Sequence, residues 1–200
     1  MLKICPSCRF SGWHRPGPPV PFYGEKDMNF KKLSSVLAKR KMLVLYEQED
    51  GPQWVGDGFS CYEMSGLPEF TTESMLFAFG VRPEKRDSWY TRETAVPKTW
   101  DLSMDSRTDR PIVIDGNGIL YNGTLFSILR VGSGCYVLPE RYLQPIYSDQ
   151  LQLFERTMEA TGEIYIIAKE GMFITAVFAA SDPSAEMKEW MQKTCNAMNQ

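Results

Sequence analysis

Catalytic chemistry has few groups to draw on in this sequence. There is one histidine, His14, so any Ser-His-Asp or Cys-His mechanism would have to move its proton through that imidazole. No G-x-x-x-x-G-K-[ST], G-x-G-x-x-G or H-E-x-x-H is present. Cys135 follows the glycine turn Gly132-Ser-Gly134. It could serve as a nucleophile, but no base accompanies it, and a lone cysteine reads better as a small buried residue. Asp101, Asp105 and Asp109 recur every fourth residue, which on a helix would turn three carboxylates toward one divalent cation. Ser103, Arg107 and Thr108 between them favour a solvated loop instead. Asp115-Gly-Asn-Gly118 resembles the opening of a calcium loop, yet Phe126 stands where the closing glutamate belongs, so the stretch reads as a turn.

The metal candidates are Cys5, Cys8 and His14. Cys5 and Cys8 form a C-x-x-C inside LKICPSCRFSGW, which looks like the first knuckle of a zinc ribbon. A structural zinc takes four ligands, no second C-x-x-C exists, and Cys61 would have to complete the set. The expectation is therefore no cofactor, with zinc as the one alternative. A redox pair fits less well, because such a motif follows a strand and only four residues precede Cys5.

Two stretches carry binding chemistry. Lys31, Lys32, Lys39, Arg40 and Lys41 make a basic run that could face a polyanion, or simply form a solvated helix face with cations near its C-terminus. Residues 82–110 interleave Arg86, Arg92 and other cations with Trp89, Tyr90 and Trp100. Arginine and aromatics together can stack on bases or anchor a protein interface. The bland alternative is a long surface loop packed by its own side chains.

Composition narrows the class. The chain has 200 residues, 43% hydrophobic and 24% charged, values of an ordinary globular protein able to bury a core without staples. The formal net charge of −3 supplies no global attraction to nucleic acid. Five cysteines at irregular spacing argue against a disulfide framework. No apolar run is long enough for a membrane helix, and MLKICPSC lacks the apolar core of a signal peptide. A cytoplasmic protein with no membrane partner is expected.

Residues 1–27 form a Cys/Pro-rich N-terminal tail, expected to be disordered, with the stiff linker Arg15-Pro-Gly-Pro-Pro-Val-Pro21. Gly24-Glu25-Lys26 is encodable by a purine-rich stretch like a bacterial ribosome-binding site, which makes Met28 a candidate start and the tail a candidate annotation extension. Residues 28–200 are expected to form one globular domain. Asn29 caps a helix through Phe30, Leu33, Val36 and Leu37. Met42–Tyr46, Gln53–Gly56 and Phe59–Met64 read as strands turned at Asp57-Gly58, and a threonine-capped helix carries Met75 and Leu76. Pro111–Ile114 and Ile119–Tyr121 are expected to form a hairpin, Leu125–Val131 a strand or short helix, and Pro139–Tyr147 a short helix. The densest β-type sequence is Leu151–Ser181: one alternating strand, then Ile164–Ile167 and Met172–Phe178 around a turn at Ala168-Lys-Glu-Gly171. A helix opening at Asp182-Pro183 follows, with Met187, Trp190, Met191 and Met198 on its apolar stripe.

Leu43-Val-Leu-Tyr-Glu47 and Leu151-Gln-Leu-Phe-Glu155 are alike, and each sits between a candidate helix and a hairpin with a charged-Gly turn. The pattern suggests duplication of a helix–three-strand unit. A helix followed by a strand meander with a D-G turn, as in Trp54-Val-Gly-Asp-Gly-Phe59, together with Tyr136-Val-Leu-Pro-Glu-Arg-Tyr-Leu143, resembles a bacterial sliding-clamp domain over residues 29–180. The resemblance implies a DNA-replication accessory or clamp-like adaptor, oligomeric and without enzymatic activity. The fold class expected is α+β: an antiparallel or mixed sheet system packed with three to four helices. The function expected is binding, with DNA or a protein as partner and a homo-oligomer as one form. The alternatives are a cysteine- or metal-dependent enzyme with an unrecognised site, or a structural assembly subunit of phage or mobile-element origin.

Overall fold

Hydrogen-bonding and burial demands along the chain resolve into an α+β architecture. The computed structural model describes residues 28–104, 106–116, 118–132 and 134–189. Helix α1 (Phe30–Arg40) begins where the Asn29 side chain accepts the Lys32 N–H at 3.0 Å, and it buries Leu33, Val36 and Leu37. It stops at Lys41, which takes the left-handed conformation (φ 49°) and returns its N–H to Ala38. Strands β1 (Met42–Glu47), β2 (Trp54–Gly56) and β3 (Ser60–Glu63) follow as an antiparallel meander. Helix α2 (Thr72–Ala78) opens with a reciprocal Thr71–Ser74 capping box, and α3 (Pro83–Arg86) has Pro at its first turn. Strand β4 (Tyr90–Ala95) then pairs parallel to β1. The second half comprises β5 (Arg110–Ile114), β6 (Ile119–Tyr121), β7 (Thr124–Val131), β8 (Gly134–Pro139), a 3-10 helix (Glu140–Tyr142), β9 (Leu151–Thr157), β10 (Ile164–Glu170) and β11 (Phe173–Ala179). A helical segment at 185–189 comes after them.

One mixed sheet of 11 strands results, in the order β4-β1-β2-β3-β11-β10-β9-β5-β7-β6, with β8 on the other flank of β7. Its centre is symmetric in connectivity: meander β1-β2-β3 meets meander β11-β10-β9 through an antiparallel β3–β11 seam, Ala176 opposite Tyr62 and Phe178 opposite Ser60. Alternation along the strands makes two faces. On the first, Leu43, Leu45, Val55, Tyr62, Ile166, Ala168, Ala176 and Phe178 pack with Leu33, Val36 and Leu37 of α1 and Met75 and Leu76 of α2. On the second, Trp54, Cys61, Tyr165, Ile167, Ile174 and Val177 form a smaller cluster. Among the described residues no long helix covers this second face. The strap between β4 and β5, described over 96–104 and 106–109, lies over it and contributes Val96, Trp100, Leu102 and Met104.

Several local expectations are corrected. The stretch 81–110 is not one long loop: it contains α3 and β4 before the strap begins. β5 and β6 do not pair as a hairpin. Both pair with β7, Ile114 opposite Leu129 and Ile119 opposite Phe126, so they lie one after the other along it. Leu125–Val131 belongs to a strand, and the helix expected over Pro139–Tyr147 is the single 3-10 turn. The β10–β11 turn sits at Gly171-Met172, because Ala168–Glu170 continue β10 opposite Leu151–Leu153 of β9. No helix among the described residues is long and apolar enough to cross a membrane.

Candidate functional site

The second sheet face is where charge and open space meet. Period-2 alternation puts Phe154, Arg156 and Met158 of the β9 side, and Tyr165, Ile167 and Lys169 of β10, on this face. Arg156 is fully buried. It forks onto Asp109, Nε to Oδ1 at 2.5 Å and Nη2 to Oδ2 at 3.1 Å. It also donates to the backbone oxygens of Asp101 and Ser103. Lys169 Nζ donates to the other side of the same loop, to Met104 O and to Asp109 Oδ2 at 2.6 Å, and stands 4.7 Å from the Phe154 ring centroid. Two buried cations thus hold one carboxylate and three strap carbonyls. Burial alone would raise the Asp109 carboxyl, but the Arg156 and Lys169 hydrogen bonds outweigh it and hold Asp109 below the usual carboxylate range. For Arg156, burial opposes the charged form and Asp109 outweighs it, so the guanidinium is held more firmly charged.

Beside this clasp the strap leaves a cleft of about 630 Å³. Tyr46 and Trp100 stand at one side, ring centroids 5.8 Å apart and tilted by 41°. Tyr165, Tyr136 and Met158 also line it, Cys61 and Val177 belong to the strands beneath, and Glu163 and Asp182 lie at exposed positions. The hydroxyl of Tyr165 is engaged by the strap, accepting from Asp101 N at 3.0 Å and donating to Asp101 O at 3.3 Å. Burial, with help from Cys61 and Asp57, pushes the Tyr46 phenol up to about 12. Burial also pushes the Cys61 thiol well up, so it stays protonated at neutral pH. Tyr136 donates to Glu155 Oε2 at 2.7 Å, and burial followed by that carboxylate pushes its phenol to about 12. Glu155, itself buried, is ion-paired with Arg110, its partner across β5–β9.

The D-G turn between β2 and β3 supports the same region from behind. Asp57 is fully buried. Its Oδ1 accepts from Phe59 N, Ser60 N and Ser60 Oγ, and its Oδ2 from the Tyr142 hydroxyl at 3.1 Å. Arg40 Nε is 3.8 Å from Oδ2. Tyr62 in turn donates to Tyr142 O at 2.8 Å. A β-turn carboxylate, a core tyrosine and a 3-10 turn from far along the chain are thereby locked together.

The residues singled out in sequence fall in three places. Lys31, Lys32, Lys39, Arg40 and Lys41 are all exposed on or just after α1. Arg86 is half-buried and bonded to Glu73 at 3.1 Å, and Trp89 packs on the main core. Tyr90 and Arg92 lie exposed on β4, the edge strand, and Trp100 belongs to the cleft. Asp101 and Asp109 do not share a helix face: both converge on Arg156, and Asp105 lies outside the described residues. Cys5, Cys8 and His14 lie outside them as well, and Cys61, the candidate fourth ligand, is buried in β3. Among the described residues no group of His, Cys, Asp and Glu could hold a metal ion. Cys135 is half-exposed on β8, opposite Arg130.

Sequence reasoning missed Tyr46, Tyr165, Arg156 and Lys169. For Arg156 and Lys169 the signal was a charge at an inward-facing position of β9 and of β10, readable only once their buried face is known. Compared with protein-family models, with curated proteins and with solved structures, the chain matches none of them.

Proposed function

We propose that this chain is a binding protein without catalytic activity, and that its ligand site is the cleft beneath Trp100. The observation that carries this reading is the cleft itself: about 630 Å³ between Tyr46, Trp100 and Tyr165, within the size range of small-ligand sites. Its walls are built for holding rather than for proton transfer. The Cys61 thiol stays protonated, the Tyr46 phenol stays neutral and the Tyr165 hydroxyl is committed to the strap. A fragment screen against the ¹⁵N-labelled full chain tests it. Binders should move the Trp100 indole signal together with backbone signals of Tyr46 and Tyr165, and Trp100→Ala should weaken them about tenfold, the loss expected for one aromatic anchor. A screen in which no fragment perturbs these residues overturns the reading.

A second reading, a DNA-metabolism adaptor of clamp-like kind, is favoured by the geometry of α1. Lys31, Lys32 and Lys39 are exposed, and at 100° per residue they fall within an arc of roughly 100° opposite the buried Leu33 and Leu37. Three cations on one arc suit phosphate contacts. Duplex DNA binding should then fall steeply with salt and vanish on reversing the three lysines to glutamate. Absence of binding at low salt removes this reading.

A further inference from the structure

The cleft carries information about the chemistry of its ligand. Among the described residues that line it there is no lysine or arginine, while Glu163 and Asp182 are both present and both exposed. The remaining lining includes three tyrosines, Trp100 and Met158. Aromatic faces carry negative electrostatic potential and attract cations. Carboxylates beside a low-dielectric wall focus that field further. A third acid, buried Asp57, stands behind the cleft with Arg40 Nε 3.8 Å from its Oδ2, and it adds to the larger effect of burial in raising the Tyr46 phenol and the Cys61 thiol. Arg92, across β1 on the edge strand, acts on Tyr46 in the opposite sense, but it lines the neighbouring shallow groove rather than this cleft. Arg110 is committed to Glu155.

We infer that the cleft takes a small organic cation, an ammonium head on an apolar body, held against the rings of Tyr46, Trp100 and Tyr136 and neutralised by Glu163 and Asp182. The inference rests on the binding reading above and adds the ligand class. An anionic ligand would meet two carboxylates with no lining cation to offset them. A neutral apolar ligand would leave both acids without a role in binding. A cleft of this volume suits a free small molecule better than a folded partner.

The test uses the full chain and two probes of equal shape: choline, and the neutral alcohol in which carbon replaces its quaternary nitrogen. Shifts of the Trp100 indole, assigned through Trp100→Phe, report occupancy. Choline should bind about fivefold or more tighter than its isostere, as a cation–π contact supported by charge requires. The exposed pair Glu163→Gln and Asp182→Asn should shrink that preference by weakening choline more than the isostere, and a preference left undiminished overturns the role given to the two acids. Equal binding of the two probes overturns the cation assignment and leaves the cleft reading standing. Binding of neutral fragments but of neither probe does the same. No binding by either probe or by any fragment removes both. A lysine-bearing peptide that binds these residues more than tenfold tighter than choline overturns the small-molecule assignment in favour of a protein ligand.

Discussion

Asp109 shows how a single side chain sets the position of a whole segment. With Arg156 fully buried and Lys169 nearly so, removing their shared carboxylate strands two cations in low dielectric. Asp109→Ala should therefore cost about 3–5 kcal/mol in urea unfolding, well beyond a surface pair. Replacing Arg156, Asp109 and Lys169 together with apolar residues should cost much less, because the clasp specifies where the strap sits more than it stabilises the fold. The acid response has a definite sign. The folded Asp109 carboxyl is held below its unfolded value, so its contribution is complete above an unfolded pKa of about 3.9 and is lost as pH falls further. Hydrogen-exchange protection at 101–104 and 106–109, measured against the intrinsic rate at each pH, should fall below about pH 4, ahead of protection in the β10–β11 core. Cys61 gives a second test at this scale: native alkylation should modify Cys135 well before Cys61, because one is half-exposed and the other buried with its thiol protonated. These partnerships were hidden in the sequence. Asp109 and Arg156 are 47 residues apart, and nothing local to either marks the pairing.

Elements with local causes were legible. Asn29, the spacing of Leu33, Val36 and Leu37, the threonine cap before Met75, and the Asp57-Gly58 turn all rest on neighbours within a few residues, and each appears where those neighbours require it. β4 was not legible because its sequence, Tyr-Thr-Arg-Glu-Thr-Ala, is polar and largely exposed. It is a strand because β1 offers a free backbone edge, an event outside its own residues. β5 and β6 failed for a related reason: a hairpin and two strands laid along one long partner share the same local pattern, and only the length of β7 separates them. The end of α1 yields a prediction at this scale. Lys41 has a positive φ of 49°, a conformation that costs a side-chain-bearing residue about 1–2 kcal/mol and glycine nearly nothing. Lys41→Gly should stabilise the protein by roughly 1 kcal/mol, part of the strain being offset by glycine's greater unfolded freedom, as a thermal melt would record.

At the scale of the molecule, two antiparallel meanders, β1-β2-β3 and β9-β10-β11, meet at the β3–β11 seam. Neither half is self-sufficient. β3 would present an unpaired edge without β11, and Tyr62 would lose both Phe178 and the carbonyl of Tyr142. A fragment spanning residues 28–95 should fail to give a dispersed NMR spectrum alone and should gain one when residues 110–189 are added in trans.

The seam also has a consequence in time. Ser60 and Tyr62 pair with Phe178 and Ala176, more than a hundred residues later in the chain. At about 5–20 residues per second of synthesis, the first meander leaves the ribosome roughly 5–25 s before its partner strand exists. During that interval the backbone edge of β3 is unpaired, and whatever shields nascent chains in the cell must hold it until β11 arrives.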